Sequence, residues 1–258
     1  MIIDRDRART AFDAYVAAYD PSNPRIALKV EHTYRVAEVA HRIAMDLGLD
    51  ERDVDLAWLC GLLHDMGRFE QVRRWDTFRD ADSTSHARLG EIVLFGSREH
   101  LGKPIAGSGE PRIRDFVADA SEDEVIRIAV CLHSDYRLPA GLDERTRMFC
   151  DITRDADKID ILRVASLDTP EATRAFDERR CMLRDERSQP ADFLVSFACF
   201  AFELAFAPSK KIMREQGCVI GLLEHPFGAS GPFHNDHTRA ELARMAREMG
   251  AYLEEDAS

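Results

Sequence analysis

The chain has 258 residues, of which 45% are hydrophobic and 32% are charged, an ordinary composition for a soluble globular protein. Its formal net charge of -12 at pH 7 argues against a nucleic acid polymer or an anionic membrane as partner, since both are bound by basic surfaces. No apolar signal core begins the chain and no apolar stretch reaches the ~20 residues of a membrane span, so we expect a cytoplasmic protein without a membrane anchor.

The first quarter of the chain has the pattern of amphipathic helices. Apolar residues at helical spacing predict one helix over about residues 5–19 and a second from about Arg25 to Leu47, followed by Gly48. His32 lies at a flank of the second apolar stripe, and Arg35 shares its face. Taken alone, His32 is typical of a partly buried packing histidine, and only the later motifs favour a ligand.

The central motif is the dipeptide His64-Asp65. A third helix would bury the apolar run that ends at Leu63 and would itself end near Gly67, because glycine adopts the left-handed cap conformation without steric cost. The dipeptide would then lie in the last turn, at the edge of the core. A half-buried imidazole beside a carboxylate is costly unless something binds both, and a divalent metal is the natural partner.

Residues 69–82 mix aromatic side chains with arginines and aspartates, which predicts a structured loop. Two interpretations stay open: a solvated connection with local ion pairs, or a lid whose arginines bind phosphate. A helix then begins after the N-cap residue Ser85 and carries His86 in its first turn. The Gly- and Pro-rich residues 96–111 predict a surface loop, and His100 within it receives no role.

Two more helices complete this half of the sequence. Residues 121–124 fit a capping box that opens a helix reaching His133, with Arg137 shortly after it. Asp143 begins the next helix, which carries Asp157 and, next to it, Lys158. No strand alternation of any length interrupts the series, so the sequence predicts an all-α fold in a single domain of residues 1–258.

The order His, His-Asp, His, His, Asp, with each motif on a helix-like segment, resembles the HD-domain superfamily, whose members are mostly metal-dependent phosphohydrolases. The resemblance covers about residues 26–165 and implies a helical bundle, with extra C-terminal helices over about 166–258. The superfamily pattern selects Asp157, which precedes a lysine, as the closing aspartate. The metal ligands that the resemblance implies are His32, His64, Asp65, His86, His133 and Asp157.

Such a site would hold one or two divalent ions, with Mn, Fe, Co, Ni, Zn and Mg as candidates. Asp65, His86 and His133 are the predicted catalytic residues: the two histidines either bind a second metal, with Asp65 as the bridge, or serve as general acid or phosphate donors. The expected substrate is a small anion, either a nucleotide or another phosphate ester. The candidates for binding its phosphate are basic residues near the proposed ligands, namely Arg35, Arg68, Arg137 and Lys158.

Two other functions stay open. Some HD-fold proteins are di-iron oxygenases with four histidines and two aspartates, a set that this sequence also offers; in the sugar-alcohol oxygenases a lysine occupies the position of Arg68. A nucleotide-binding sensor without activity is the third function, although a complete ligand set argues against a degenerate site. The assembly state is open, with a homodimer as one option.

Beyond residue 165 the sequence predicts helices near 171–186, 191–207 and 236–254. His225, His234 and His237 could form another metal site, but Asn235 or Asp236 as the N-cap of the last helix explains this segment better. The six cysteines lie mostly in apolar surroundings and include no Cys-x-x-Cys pair, which predicts buried free thiols in a reducing cytosol.

Overall fold

A computed structural model of the chain describes residues 3–96, 112–161, 170–182, 190–225 and 236–255. Every regular element within these ranges is helical and no strand is present, which confirms the predicted all-α fold. The chain folds into two compact units, Met1–Ala156 and Asp157–Ser258, and each is described by itself. The predicted boundaries, a core of about 26–165 and an extension of about 166–258, stay a prediction.

The helices whose first residue lies in the first unit are α1 (Arg5–Val16), α2 (Pro24–Asp46), α3 (Glu51–Leu63), α4 (Met66–Trp75), α5 (His86–Phe95), α6 (Ile113–Phe116), α7 (Asp123–Leu132) and α8 (Glu144–Ile161). Short polar side chains begin several of them. Asp4, Asn23, Asp50 and Ser85 each accept a hydrogen bond from a backbone N–H in the first turn of the helix that follows. Ser85 is therefore the N-cap that the sequence predicts.

Two glycines let helices pack closely in the first unit. A Cβ atom at Gly61 on α3 would lie 2.9 Å from the Cα atom of Ala37 on α2. A Cβ atom at Gly67 on α4 would lie 2.1 Å from the carbonyl oxygen of His86 on α5, a distance that no side chain permits. The predicted helix end at Gly67 is therefore wrong: α3 already ends at Leu63, and Gly67 serves a close helix contact in the first turn of α4.

Two further local predictions are wrong. Residues 69–75, which were expected in a loop, belong to α4. Its basic residues Arg73 and Arg74 form ion pairs with the fully buried carboxylate of Glu70. The capping box at 121–124 does not form either. The N–H of Ser121 donates to Asp119 Oδ1 at 2.7 Å, and α7 begins only at Asp123, after the N-cap residue Glu122, whose side chain accepts no hydrogen bond from the first turn of the helix.

In its described residues, the second unit contains the end of α8 followed by α9 (Pro170–Asp177), α10 (Pro190–Ala198), α11 (Ala207–Gln216), α12 (Cys218–Glu224) and α13 (Asp236–Glu254). A 3-10 turn over Cys199–Glu203 ends the apolar stretch that the sequence assigned to one longer helix. Phe202 in this turn packs edge-on against Phe176 and Tyr252, with ring centroids 5.3 and 4.9 Å away. All six cysteines are free, as predicted, and five of them are buried.

Among the residues that the structure describes, no helix combines the length and apolar character that crossing a bilayer would require. His100 and His234 lie outside the described residues. His237 falls on α13, and His225 follows the end of α12 as an exposed residue.

Candidate metal centre

Four histidines of the first unit surround the Asp65 carboxylate. His32 lies within α2, His64 and His133 follow the last residues of α3 and α7, and His86 is the first residue of α5. Asp65 lies in the short connection between α3 and α4. All five side chains are buried, with at most 5% of each residue exposed. Three helix ends, the connection between α3 and α4, and the middle of α2 thus bring these polar side chains together in the protein interior.

The imidazoles divide into two pairs, one on each oxygen of the carboxylate. The Nε2 atoms of His32 and His64 lie 3.6 and 3.4 Å from Asp65 Oδ2. The Nε2 atoms of His86 and His133 each lie 3.6 Å from Asp65 Oδ1. Ligand atoms of one metal, each ~2.1 Å from it, lie roughly 3–3.5 Å apart, so these distances fit shared coordination.

Helix ends also fix the tautomers of two histidines. His64 Nδ1 lies 2.7 Å from the carbonyl oxygen of Gly61, and His133 Nδ1 lies 2.8 Å from that of Val130. The last carbonyls of a helix lack partners within the helix, and a carbonyl oxygen only accepts. Each Nδ1 must therefore carry a proton, so that whenever either ring is neutral its lone pair is on Nε2, facing Asp65.

Asp80 holds His86 in the same way. Its Oδ2 atom lies 2.7 Å from His86 Nδ1, and Gln71 and Arg68 hold the same carboxylate through Oδ1 at 2.8 and 3.2 Å. Burial and then the Arg68 guanidinium lower the pKa of His86 to about 4, so this ring is neutral near pH 7. Burial by itself would raise the pKa of Asp80, but the hydrogen bond to His86 and the charges around it lower it to about 2.

The contact between His86 and His133 tests whether a metal fits. Their Nε2 atoms are 3.0 Å apart. Since both rings carry a proton on Nδ1, two neutral rings would point their lone pairs at each other, and a proton or a metal ion between the two Nε2 atoms would relieve that repulsion. Three of the residues, His64, Asp65 and His133, also offer ligand atoms that all lie within 4.8 Å of one another. The donor set of imidazoles and a carboxylate is one that divalent transition metals prefer.

The charge of Asp65 is balanced by two cations. Lys29 Nζ lies 2.6 Å from Oδ2, and Arg68 Nε lies 3.6 Å from Oδ1. Burial opposes ionisation, but the Lys29 ammonium and then the His64 imidazole hold the pKa of the Asp65 carboxyl well below its usual range. The carboxylate is therefore ionised at neutral pH and can bind a metal without first losing a proton.

The predicted phosphate-binding arginines differ in their distance from the histidine cluster. Arg68 lies beside Asp65, as just described, and its buried Nε has no hydrogen-bond acceptor among the described residues. Arg35 Nε donates to Glu31 at 2.9 Å on a half-exposed part of α2, and Arg137 is exposed and stacks on Tyr136 at 4.7 Å. The structure thus brings one of these three arginines to the histidine cluster.

Two predicted residues belong to the second unit. Lys158 lies on α8 and donates to the carbonyl oxygen of Glu203 at 3.0 Å, a contact within that unit. Asp157 lies next to it on the same helix, one residue after the first unit ends. Its role as a metal ligand stays a prediction. Another histidine of α2, His41, accepts a hydrogen bond from Arg5 at 2.8 Å.

Sequence reasoning missed three residues of the site: Lys29, Gln71 and Asp80. Lys29 had a readable signal, because a lysine one helical turn before His32 shares its side of the helix. Gln71 and Asp80 had none. Their contacts depend on how the chain from 76 to 85 folds back on α4, which no local pattern describes.

Comparison with protein-family models matches the HD domain over residues 30–165, which is more than half of the chain. Comparisons with curated proteins and with solved structures give no match. The matched span begins two residues before His32 and includes the whole histidine cluster and Asp157. The chain belongs to the HD domain family.

Proposed function

We propose that this protein is a metal-dependent phosphohydrolase that acts on a nucleotide or another small phosphate ester. The observation that carries the proposal is the convergence of four imidazole Nε2 atoms on the two oxygens of Asp65, at 3.4 to 3.6 Å. HD domains are mostly metal-dependent hydrolases, and this family membership agrees with the donor set.

A divalent metal held by these residues would supply Lewis acidity and a bound water acidified toward neutral pH. The protein's own contribution is a fixed and ionised ligand set. Asp65 supplies the negative charge, and the histidines present lone pairs whose direction is set by Gly61, Val130 and Asp80. Because these groups are oriented before any ligand binds, little reorganisation is needed during the reaction.

Arg68 is the residue we assign to the substrate anion. Its Nη1 donates to Gln71 Oε1 and to the carbonyl oxygen of Phe78, both at 2.7 Å, so the guanidinium is held in place. Its Nε–H is buried, lies 3.6 Å from Asp65 Oδ1 and has no acceptor among the described residues. A phosphoryl oxygen bound beside Asp65 would satisfy this donor.

The same ligand set also supports a second function, that of a di-iron oxygenase. Two imidazoles on each oxygen of one carboxylate are a symmetrical arrangement that two iron ions could share through Asp65. The phosphohydrolase is preferred because a second cation, Lys29, lies with Arg68 on the same carboxylate, and two cations favour an anionic substrate.

Two assays separate these functions. Purified protein would be screened with nucleotides and phosphate esters in the presence of Mn, Co or Mg, and, after anaerobic loading with Fe, for oxygen uptake with polyols. We expect metal-dependent release of phosphate, its loss in Asp65→Asn, and full activity in His41→Ala. Oxygen uptake without phosphate release would contradict the proposal and favour the oxygenase.

The proposed setting is the cytoplasm, where a small phosphorylated metabolite and a reducing environment are both available. The free cysteines support this, since five of the six are buried as thiols. The acidic net charge of -12 supports a small substrate over a nucleic acid polymer.

A further inference from the structure

Lys29 binds the oxygen of Asp65 for which a metal ion would compete. Its ammonium lies 2.6 Å from Asp65 Oδ2, and its side chain is only 8% exposed. The same oxygen is the one that His32 Nε2 and His64 Nε2 approach to 3.6 and 3.4 Å. Ammonium and metal would therefore use the same carboxylate oxygen.

Binding of both cations to this oxygen at once is electrostatically unfavourable. A metal that bound Oδ2 with His32 and His64 would lie within a few ångströms of the Lys29 nitrogen, in a site where burial weakens solvent screening. The repulsion between a doubly charged ion and an ammonium at that separation opposes simultaneous binding. Lys29 can yield because a lysine side chain has a flexible four-carbon stem, whereas the His64 ring is held through Nδ1 by the carbonyl oxygen of Gly61.

Lys29 also lies near a second group, the aromatic ring of Phe78. Its Nζ lies 5.6 Å from the centroid of the Phe78 ring, and the Arg68 guanidinium lies at the same distance from that ring. The two cations thus share one aromatic side chain as well as the Asp65 carboxylate. An ammonium that leaves Asp65 carries three N–H donors and no acceptor, so it needs another anion nearby.

We propose that Lys29 is an exchangeable cation: it balances Asp65 while no metal is bound, is displaced from Oδ2 by the metal, and then binds an oxygen of the substrate's phosphoryl group. The inference rests on the proposed function for the nature of that anion. It adds a substrate-binding residue that the motifs do not mark, and it makes metal loading a condition for phosphate binding by Lys29.

The test compares Lys29→Met, which removes the charge but keeps the length of the side chain, with Lys211→Met, an exposed lysine of the second unit. Mn²⁺ binding to metal-free protein would be measured by calorimetry. We expect Lys29→Met to bind its first Mn²⁺ at least tenfold more tightly than wild type, because no ammonium competes, and Lys211→Met to match wild type. Equal or weaker binding by Lys29→Met would overturn the proposal.

The second measurement uses inorganic phosphate with protein saturated with Mn²⁺. We expect Lys29→Met to bind phosphate at least tenfold more weakly than wild type, and Lys211→Met to bind it unchanged. Unaltered phosphate binding in a folded Lys29→Met protein would also overturn the proposal. Both measurements record binding and no turnover, so a wild-type protein that hydrolyses no phosphate ester would contradict the proposed function without deciding the role of Lys29.

A measurement on the wild type covers the case that Lys29→Met does not fold. The chain has five lysines, so a protein labelled with ¹⁵N at lysine Nζ gives few signals, and Lys29→Arg assigns the one from Lys29. We expect this signal to move when Zn²⁺ is added and to move again when phosphate follows. A signal unchanged by Zn²⁺ would show that the ammonium stays on Asp65 and would contradict the proposed exchange.

Discussion

Asp65 determines the centre at the scale of single residues, because each of its oxygens faces a different pair of imidazoles. Two cations, Lys29 and Arg68, complete its surroundings. A carboxylate that is 2% exposed would not remain charged in an apolar core without such neighbours. The polar centre is therefore interdependent, and removing one member leaves others buried without a partner.

The first prediction concerns Asp65→Ala. Bound metal and activity should be lost together, and the metal-free variant should lose roughly 3–5 kcal/mol of unfolding free energy because Lys29 remains buried without its counterion. Elemental analysis and urea unfolding measure the two effects. The control is His41→Ala, because His41 on α2 is hydrogen-bonded to Arg5; this variant should retain both bound metal and activity. Full metal content in folded Asp65→Ala would refute the ligand assignment.

The second prediction concerns Asp80, which orients His86 through Nδ1 at 2.7 Å. Groups that orient a metal-binding histidine typically contribute 10–100-fold in metal affinity or activity, so Asp80→Ala should weaken Mn²⁺ binding by about that factor. The matched control is Asp82→Ala, two residues away, whose half-exposed carboxylate pairs with Arg79 at 3.3 Å. Calorimetry that finds the two variants equal would remove Asp80 from the site.

At the scale of elements, the close contact between α4 and α5 brings Asp65 and His86 together. The first turn of α4 approaches the first turn of α5 so closely that the backbone of His86 occupies the space of a side chain at Gly67. Asp65 immediately precedes α4 and His86 begins α5, so this one contact sets the separation of two proposed ligands. The glycine after His64-Asp65 thus acts through packing between helices.

The third prediction is that Gly67→Ala destabilises the protein by roughly 3 kcal/mol, since overpacking against backbone cannot be relieved by a side-chain rotation. Gly221→Ala on α12 is the matched control, because nothing lies within 4 Å of its added Cβ atom. A helical glycine replaced by alanine in open space should gain roughly 0.5–1 kcal/mol. Urea unfolding of both variants provides the test, and equal stabilities would contradict the steric explanation.

At the scale of the whole molecule, the number of metals decides how the centre works. The pairing favours two ions: His32 and His64 would hold one together with Asp65, and His86 and His133 would hold the other together with Asp65. A single ion would leave one pair for proton transfer or substrate binding. Family membership alone does not choose between these arrangements.

The fourth prediction is therefore a stoichiometry. Wild-type protein should bind about two equivalents of Mn or Fe, and the double variant His86→Ala/His133→Ala about one, because the pair on Oδ2 is left intact. Metal analysis after equilibrium dialysis measures this. One equivalent in the wild type at saturating metal would reassign both histidines to a mononuclear site.

The sequence by itself determined the all-α class and the HD family, because helical periodicity and the order of the motifs are local properties of the chain, while metal binding by the histidines stays a prediction. It did not predict the features that depend on contacts between segments distant in the chain. The role of Gly67 depends on how closely α5 approaches α4, and the partners of Asp80 depend on the fold of the segment before α5. The sequence shows that Lys29 lies one helical turn before His32, but it does not show which group Lys29 contacts. Only the tertiary structure shows that its ammonium lies 2.6 Å from Asp65 Oδ2, since that contact joins α2 to the connection between α3 and α4.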